Sequence, residues 1–186
     1  MRVVVIVPPV PIATPQDVPG PHAGDDAMMA GLIAAAQARI DGPTGNINRA
    51  LGLQTIEIAT PCLPRSIPYR PVLDLVSVEV DGVTVDGVSV NREGRLSYSG
   101  QMPHGAAVIR YRAGYDGSDN GPVPANAKAA IVLMVQDMLA AQAPNGGLRS
   151  FDVDGAFSEA YNSPDQVQRS RGATIEGLLA PLRVFA

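Results

Sequence analysis

Apolar residues recur at helical spacing in three parts of the chain. Over residues 25–40 they stand three and four positions apart on one stripe, which predicts a helix with two aspartates in its first turn. A shorter run of the same period predicts a second helix over 44–52. After Pro124, a broad apolar face predicts the longest helix, over 125–142.

Between the second and third helices the period changes to two. From residue 54 to residue 114, short runs of alternating apolar and polar residues are separated by turn signals such as Asp81-Gly82 and Asp86-Gly87. A segment with four prolines, 60–71, must run extended, because proline fits neither a helix interior nor a central strand. The pattern predicts an antiparallel sheet or a small barrel.

The two ends of the chain do not continue this pattern. Residues 2–7 form an apolar strand that prolines follow, so its partner is either this chain's own sheet or the edge of an adjacent subunit. Residues 148–172 are polar and lack a clear period. The last segment, 173–186, is amphipathic but short, and we expect it to need a surface to lie on.

Together these patterns predict an α+β fold with a mainly α-helical body. The body has two N-terminal helices, one long helix and a small antiparallel β-sheet, and extended N- and C-terminal arms flank it. The predicted divisions are a strand and Pro-rich arm over 1–24, a body over 25–143 and a tail over 144–186 with a terminal amphipathic segment.

Composition and charge favour assembly over DNA binding. Hydrophobic residues make up 46% of the 186 residues and charged residues only 17%, so much apolar surface must be buried inside the chain or against partners. The formal net charge is -4, and no Lys/Arg cluster is long enough to give the concentrated positive field that phosphate binding needs. If DNA merely passes this protein, a mildly acidic surface keeps the duplex mobile, because like charges repel.

The cysteine and the N-terminal segment indicate the compartment. The single Cys62 has no partner for an intrachain disulfide, which is typical of assembly in the reducing cytoplasm. Apolar residues 3–7 resemble a signal peptide at first sight, but Pro8, Pro9 and Pro11 interrupt the run. No stretch approaches the roughly 20 apolar residues of a membrane helix, so no membrane partner is expected.

The residue pattern gives no support for catalysis or metal binding. His22 and His104 lie in separate Pro/Gly loops, neither of them near Cys62, so we expect no enzyme. One cysteine and two isolated histidines do not match zinc-ligand spacing. The acidic loops 116–121 and 152–155 lack the closing Glu of a calcium loop, and no Gly-rich phosphate loop points to a cofactor.

Four arginines are candidates for a positive patch on one side of the sheet: Arg65, Arg70, Arg110 and Arg112. The simpler interpretation is that Arg110 and Arg112 are solvated strand positions that alternate with buried neighbours. The functional alternative is a set of salt bridges to the acidic surface of a neighbour or another partner, each weak but useful for register.

A series of short sequence motifs occurs in a fixed order along the chain. They are Asp25-Asp26-Ala-Met-Met, Thr44-Gly45, Leu63-Pro64, Arg70-Pro71-Val72 ahead of Val76-Ser-Val78, Val108-Ile-Arg-Tyr111-Arg-Ala113-Gly114-Tyr115, Val123-Pro124 ahead of Ala127-Lys128-Ala-Ala-Ile131, and Leu178-Leu-Ala-Pro-Leu-Arg183. In this order they resemble the head-tail connector (adaptor) family of tailed bacteriophages, which gene transfer agents also carry. The resemblance spans roughly residues 23–143 and the C-terminus.

The resemblance implies a structural virion protein. Its subunits form a ring, commonly a dodecamer, between the portal protein and a tail-side stopper or tail terminator protein, and DNA passes through the lumen without specific binding. The implied location is the head-tail interface of the virion, after assembly in the host cytoplasm.

The resemblance also implies that the C-terminal tail reaches the portal. The candidate portal-binding residues are Ile175, Leu178, Leu179, Leu182, Arg183, Val184 and Phe185. The candidate residues of an inter-subunit strand are Val3, Val4, Val5, Ile6 and Val7.

Two other functions compete with this hypothesis. The first is a soluble module with a small β-barrel that binds a small molecule or glycan in a pocket lined by Tyr69, Tyr98 and Tyr111, and it predicts a monomer. The second is a hydrolase that depends on His104. The mass of the native protein separates the ring from the monomeric module.

Overall fold

The computed structural model describes residues 1–100, 103–142, 150–153, 157–160 and 164–184. Within these ranges the chain forms nine strands and three α-helices. In chain order they are β1 (Arg2–Val7), α1 (Ala27–Ala38), β2 (Gln54–Thr60), β3 (Val72–Val80), β4 (Val83–Thr84), β5 (Val88–Val90), β6 (Leu96–Tyr98), β7 (Ala107–Ala113), α2 (Ala125–Gln142), β8 (Ser150–Val153), β9 (Phe157–Ala160) and α3 (Pro164–Leu179).

Five strands make one antiparallel sheet in the order β1-β2-β7-β3-β4. The turn between β3 and β4 is Asp81-Gly82, with φ of 48° and 78°, and Val80 pairs directly with Val83. Positive φ at both central residues is the two-residue hairpin turn whose twist matches that of the strands. Strands β5 and β6 pair as a separate hairpin, as do β8 and β9.

The main apolar core lies on one face of the five-stranded sheet. Ile56 and Ile58 of β2 stand opposite Tyr111 and Ile109 of β7, and all four side chains have no exposed surface. Because side chains alternate between the two faces of a strand, the intervening residues of β2 and β7 face outward. The two-residue period of the sequence is therefore the period of burial in these strands.

The expectation of a mainly α-helical body is wrong. Among the described residues, strands outnumber helices by nine to three, and the largest element is the five-stranded sheet. The apolar residues from Ile47 to Leu51 that suggested a helix over 44–52 are buried in a loop, whose one helical turn is the 3-10 turn Gly42–Thr44. Gly42 and Asn48 have φ of 64° and 53°, and such left-handed residues break a right-handed helix.

The chain divides into two compact units. The first contains residues 1–12 and 37–125 together with the C-terminal residues from Leu182, and therefore the five-stranded sheet. The second contains residues 13–36 and the described part of 126–181, and therefore most of the helical residues. The predicted division into arm, body and tail, with boundaries at 24 and 143, remains a prediction.

Two ion pairs connect elements of the second unit. Lys128 Nζ lies 2.8 Å from Asp17 Oδ1, which joins α2 to the 3-10 turn Pro15–Asp17. Arg171 Nη1 lies 2.8 Å from Asp137 Oδ1, which joins α3 to α2. The buried residues of α2 recur at helical spacing: Ala127, Ala130, Ile131, Met134 and Val135. No helix in the described ranges is long and apolar enough to cross a membrane.

Candidate functional site

The C-terminal residues of the chain bind to the loop at 47–49, and we call this contact the C-terminal clasp. The Val184 N–H donates to the Ile47 carbonyl at 2.9 Å, and Arg49 Nε donates to the Leu182 carbonyl at 2.8 Å. Arg49 also donates from Nη1 to the Tyr115 hydroxyl at 3.0 Å, which holds the guanidinium in place. The clasp therefore combines one main-chain hydrogen bond with one that depends on the Arg49 side chain.

The structure buries part of the predicted portal-binding set inside the chain. Ile175, Leu179 and Leu182 are buried, with Leu179 fully so. Leu178, Arg183 and Val184 are half-buried, and Phe185 lies outside the described residues. The expectation that this segment needs an external surface is therefore wrong for these three buried side chains. Ile175 and Leu179 belong to α3, which begins at Pro164 and is longer than the pattern from 173 onward suggested, and Leu182 lies in the 3-10 turn Ala180–Leu182 that follows.

A buried carboxylate organises the loop that receives the C-terminus. Asp41 is 3% exposed and accepts four hydrogen bonds, two at each oxygen. The donors are the main-chain N–H groups of Leu51 and Gly52 and the side-chain amides of Gln37 and Gln54, at 2.7 to 2.9 Å. Burial raises the pKa of the Asp41 carboxyl above its ordinary value, and these donors oppose the rise.

Gln37 connects this carboxylate to the N-terminal segment. Its Nε2 donates to the Val10 carbonyl and to Asp41 Oδ2, and its Oε1 accepts from the Ile12 N–H at 3.0 Å. The amide thus pairs with extended main chain as a neighbouring strand would. One polar network therefore holds both the residues after β1 and the loop of the C-terminal clasp.

Strand β1, the predicted inter-subunit strand, pairs antiparallel with β2 of the same chain. Val3 pairs with Ile58 and packs against the apolar core. The sequence left two partners open for this strand, the chain's own sheet and an adjacent subunit. The chain's own sheet pairs with one edge of the strand. The other edge is the outer edge of the five-stranded sheet, and Ile6, Val7 and Val10 beside it are about half exposed.

Two of the four candidate arginines are neutralised within the chain. Arg110 Nε lies 2.6 Å from Glu57 Oε2, and Arg112 Nη2 lies 2.5 Å from Asp74 Oδ2, both on the outer face of the sheet. Each carboxylate raises the pKa of the guanidinium beside it. These arginines are exposed strand positions with partners in their own chain, so they do not form one patch with Arg65 and Arg70.

The structure places two further arginines, which sequence reasoning missed, beside Arg65 and Arg70. They are Arg92 and Arg95, in the turn between β5 and β6. The Val72 N–H donates to the Arg92 carbonyl, and the Leu96 N–H donates to the Arg65 carbonyl, both at 3.0 Å. The turn from Asn91 to Arg95 can be predicted from the sequence, but its pairing with the distant residues 65–67 cannot.

The remaining candidates for chemistry stay apart or have internal partners. Cys62 and His104 are exposed, and His22 Nε2 lies 2.6 Å from the Pro15 carbonyl oxygen. Asp116 accepts hydrogen bonds from the Ser118 hydroxyl and from main-chain N–H groups of its own loop, which lower its pKa to about 2. The described residues contain no group of three or more His, Cys, Asp or Glu placed to hold a metal ion.

Of the three tyrosines of the competing binding module, Tyr111 lies in the core, and Tyr69 and Tyr98 are half-buried against it. The Tyr98 hydroxyl donates to the Pro64 carbonyl at 2.7 Å, and the Tyr111 hydroxyl donates to the Pro68 carbonyl at 2.9 Å. Tyr111 has no exposed surface, and burial raises the pKa of its hydroxyl. Tyr69 packs against the same apolar cluster. The hydroxyl protons of Tyr98 and Tyr111 are thus donated to the Pro-rich segment and hold it on the sheet.

Comparisons with known proteins give a likeness of fold. No protein-family model and no curated protein sequence matches the chain. Among solved structures, it is similar to a chain in the neck of the native GTA particle computed with C12 symmetry, with a TM-score of 0.62 and 17% identity over 100% of this chain and 97% of that chain. A chain in the virion of the native gene transfer agent (GTA) particle gives the same values.

A chain in the neck of the empty GTA particle computed with C6 symmetry has a TM-score of 0.60 and 20% identity, with the same coverage. These values show that the protein shares the fold of those chains. Chains with this fold are thus found in the neck of the GTA particle.

Proposed function

We propose that the protein is a structural component of the neck of a tailed bacteriophage or gene transfer agent, and specifically an adaptor subunit between the portal and the tail. The observation that carries this proposal is the likeness to GTA neck chains across 100% of this chain and 97% of those chains. The alignment spans nearly the whole length of both chains. In this role the chain is structural and not an enzyme, and it resides in the virion.

Copies of the chain form a ring around the DNA channel, and twelve is the number we propose. The neck containing one similar chain was computed with C12 symmetry, which supports this number. The net charge of -4 and the neutralised arginines on the outer face of the sheet support passage of DNA without specific binding. The tail-side partner is a stopper or tail terminator protein.

The C-terminal segment contacts the portal in this proposal. Leu178, Arg183 and Val184 are half-buried and remain accessible while the clasp is closed. Ile175, Leu179 and Leu182 are buried in the free chain, so they reach a portal only if α3 and the 3-10 turn after it move. The first contact with the portal therefore involves the half-buried residues.

Strand β1 contacts a neighbouring copy in the same ring. Its outer edge has no ladder partner among the described residues, and an unpaired edge is a template for another strand. The half-exposed Ile6 and Val7 lie at this edge, where a neighbour would cover them.

The proposal is tested by joining reactions with heads that lack this chain. Purified protein is added to such heads, tails follow, and joined particles are counted by electron microscopy. We expect joining only when the chain is present. Equal joining without the chain would refute the proposed function.

The portal contact is tested in the same reaction with a matched pair of variants. Leu178→Asp places a charge at the proposed contact, and Ala173→Asp places the same charge at an exposed position of the same helix. We expect the first variant to bind portal rings at least about tenfold more weakly and the second to bind normally. Equal binding by both variants would remove the C-terminal segment from the portal contact.

A further inference from the structure

Four exposed arginines lie together in the first unit, and we call them the arginine surface: Arg65, Arg70, Arg92 and Arg95. Main-chain hydrogen bonds bring them together across about thirty positions of sequence. The Leu96 N–H binds the Arg65 carbonyl at 3.0 Å, the Ile67 N–H binds the Gly94 carbonyl at 2.8 Å, and Ser66 forms a bridge with Arg95. The Val72 N–H binds the Arg92 carbonyl, which places Arg92 beside the segment that follows Arg70.

These guanidinium groups have almost no partners in the described part of the chain. The four salt bridges of that part involve other cations. Only Arg92 makes a side-chain hydrogen bond, from Nη2 to the Asn120 carbonyl at 2.7 Å. Residues 65–70 and 92–95 together contain one carboxylate, Glu93. Free guanidinium forks are suited to bidentate binding of carboxylates or phosphates.

The opposite charge lies at the other end of strand β3. Residues 76–91 contain three carboxylates and no Lys or Arg, and we call these residues the acidic end: Glu79, Asp81 and Asp86. Val72, bonded to Arg92, begins β3, and Val80, next to Asp81, ends it. Eight residues of rise separate these ends by about 26 Å. The start of this strand thus carries four arginines and Glu93, with the loop of Asp116 and Asp119 beside Arg92. Its end carries three carboxylates, with Arg110 near Glu79.

The charge of the remaining chain argues against DNA as the partner. Of the 14 Lys and Arg and 18 Asp and Glu in the sequence, setting aside the arginine surface and Glu93 leaves 10 basic and 17 acidic residues. That surplus repels a duplex, whereas it makes a second copy of the chain complementary to the arginine surface. Contact between different surfaces of identical copies is head-to-tail, which is the arrangement that closes into rings.

We propose that the arginine surface of one copy binds the acidic end of the next copy. The inference rests on the proposed function, since it supplies a contact between neighbours in the ring. The half-buried Tyr69 lies beside Arg70 and adds an aromatic group of the kind that is enriched at protein interfaces.

The experiment measures self-association of the full chain by sedimentation equilibrium at low and high salt. One variant, Arg65→Glu with Arg95→Glu, reverses side chains that have no bond in the described structure. A second variant, Glu79→Arg with Asp86→Arg, reverses the acidic end and spares Asp81, whose carboxylate accepts from the Ala106 N–H. The control, Arg39→Glu with Arg169→Glu, makes the same change of charge at exposed positions elsewhere.

We expect the wild type and the control to associate at 50 mM salt and at least about tenfold more weakly at 500 mM. Each reversed variant alone remains monomeric, because its two surfaces now carry the same sign. An equimolar mixture of the two reversed variants associates again, because every contact pairs opposite charges. Circular dichroism verifies that each variant is folded.

Three results would overturn the inference. They are a wild type that stays monomeric at 50 mM salt, reversed variants that associate like the wild type, and a mixture that fails to restore association. Binding of a 30-base-pair duplex by the wild type, lost in the Arg65→Glu/Arg95→Glu variant, would assign the surface to DNA phosphates instead. Failure of the proposed function itself is seen separately, as heads that join tails without this chain.

Discussion

Gln37 and Asp41 meet inside the protein, with Nε2 of the amide 2.8 Å from Oδ2 of the carboxylate and both residues only 3% exposed. They stand one helical turn apart, at the point where α1 ends. Through this pair, the N-terminal segment and the loop of the C-terminal clasp share one polar network. Both ends of the described chain therefore depend on two side chains near its first helix.

Replacing Asp41 with Asn tests this network. The substitution keeps the shape but puts an NH2 group where two N–H donors now point, so two hydrogen bonds are lost and buried donors remain unsatisfied. We expect a loss of about 2–4 kcal/mol in the free energy of unfolding, measured by urea titration. Asp25→Asn, at an exposed position, is the control and should change stability by less than about 0.5 kcal/mol. Equal stability of the two variants would mean that the carboxylate does not organise the loop.

The acid stability of the loop at 116–120 follows from Asp116. Its folded-state pKa of about 2 lies below the ordinary 3.8, so its contribution is fully present above pH ~4 and is lost as the pH falls toward about 2. Asp116→Asn keeps an acceptor oxygen but removes the titration. We expect the difference in stability between wild type and variant to shrink over that window. If the difference in stability between wild type and Asp116→Asn is the same at pH 5 and pH 2, the lowered pKa of Asp116 is contradicted.

The pKa of Asp41 is shifted in the opposite direction to that of Asp116. Its folded-state pKa is raised above 3.8 by burial, so the charged form is the disfavoured one and stability from this source falls as the pH rises through the folded value. We expect carbon-detected titration of the two carboxyl groups by NMR to give a value above 3.8 for Asp41 and below it for Asp116. The reverse order would be inconsistent with the burial of Asp41.

Burial of α3 in the free chain is tested with two neighbouring leucines. Leu179 has no exposed surface, whereas Leu178 is half-buried. We expect Leu179→Ala to lower the free energy of unfolding by about 2–5 kcal/mol and Leu178→Ala by less than about 1.5 kcal/mol. Equal and small effects would mean that the helix is not packed in the isolated protein.

The approach of Gly52 to Gly114 is tested with alanine. Gly114 has φ of 117°, and an added Cβ would overlap the Gly52 carbonyl oxygen. We expect Gly114→Ala to cost at least about 3 kcal/mol, since strain and overlap add. Gly82→Ala is the matched control, because its φ is also positive at 78° and its Cβ would meet no atom within 4 Å. It should cost about 1 kcal/mol, and equal thermal denaturation midpoints would contradict the close approach.

Sequence reasoning succeeds where the determinants of structure are local. The Asp81-Gly82 dipeptide specifies a tight hairpin by itself, and the segment predicted as the helix 125–142 is α2, Ala125–Gln142. The error over 44–52 has the opposite cause. Ile47 and Leu51 are buried as a helix stripe would be, but the loop is held by the distant Asp41 carboxylate and not by helical hydrogen bonds. Apolar spacing alone does not separate these two cases.

The candidate site is still less accessible to sequence reasoning. The arginine surface depends on the pairing of residues 65–67 with residues 94–96, and nothing local to either segment specifies that register. The buried state of Leu179 and Leu182 depends on tertiary packing in the same way. Residue types therefore indicated which surfaces were apolar or basic, but not which of them the chain covers itself.

The five-stranded sheet has a consequence for any ring built from it. Strand directions alternate across an antiparallel sheet, so with an odd number of strands the two outermost, β1 and β4, point the same way. Rotation about a ring axis preserves direction along that axis, so copies joined through those two strands would meet in a parallel seam. Parallel pairing has slanted hydrogen bonds and is slightly weaker per residue. Such a ring would be most easily opened between its subunits, while each sheet stayed intact.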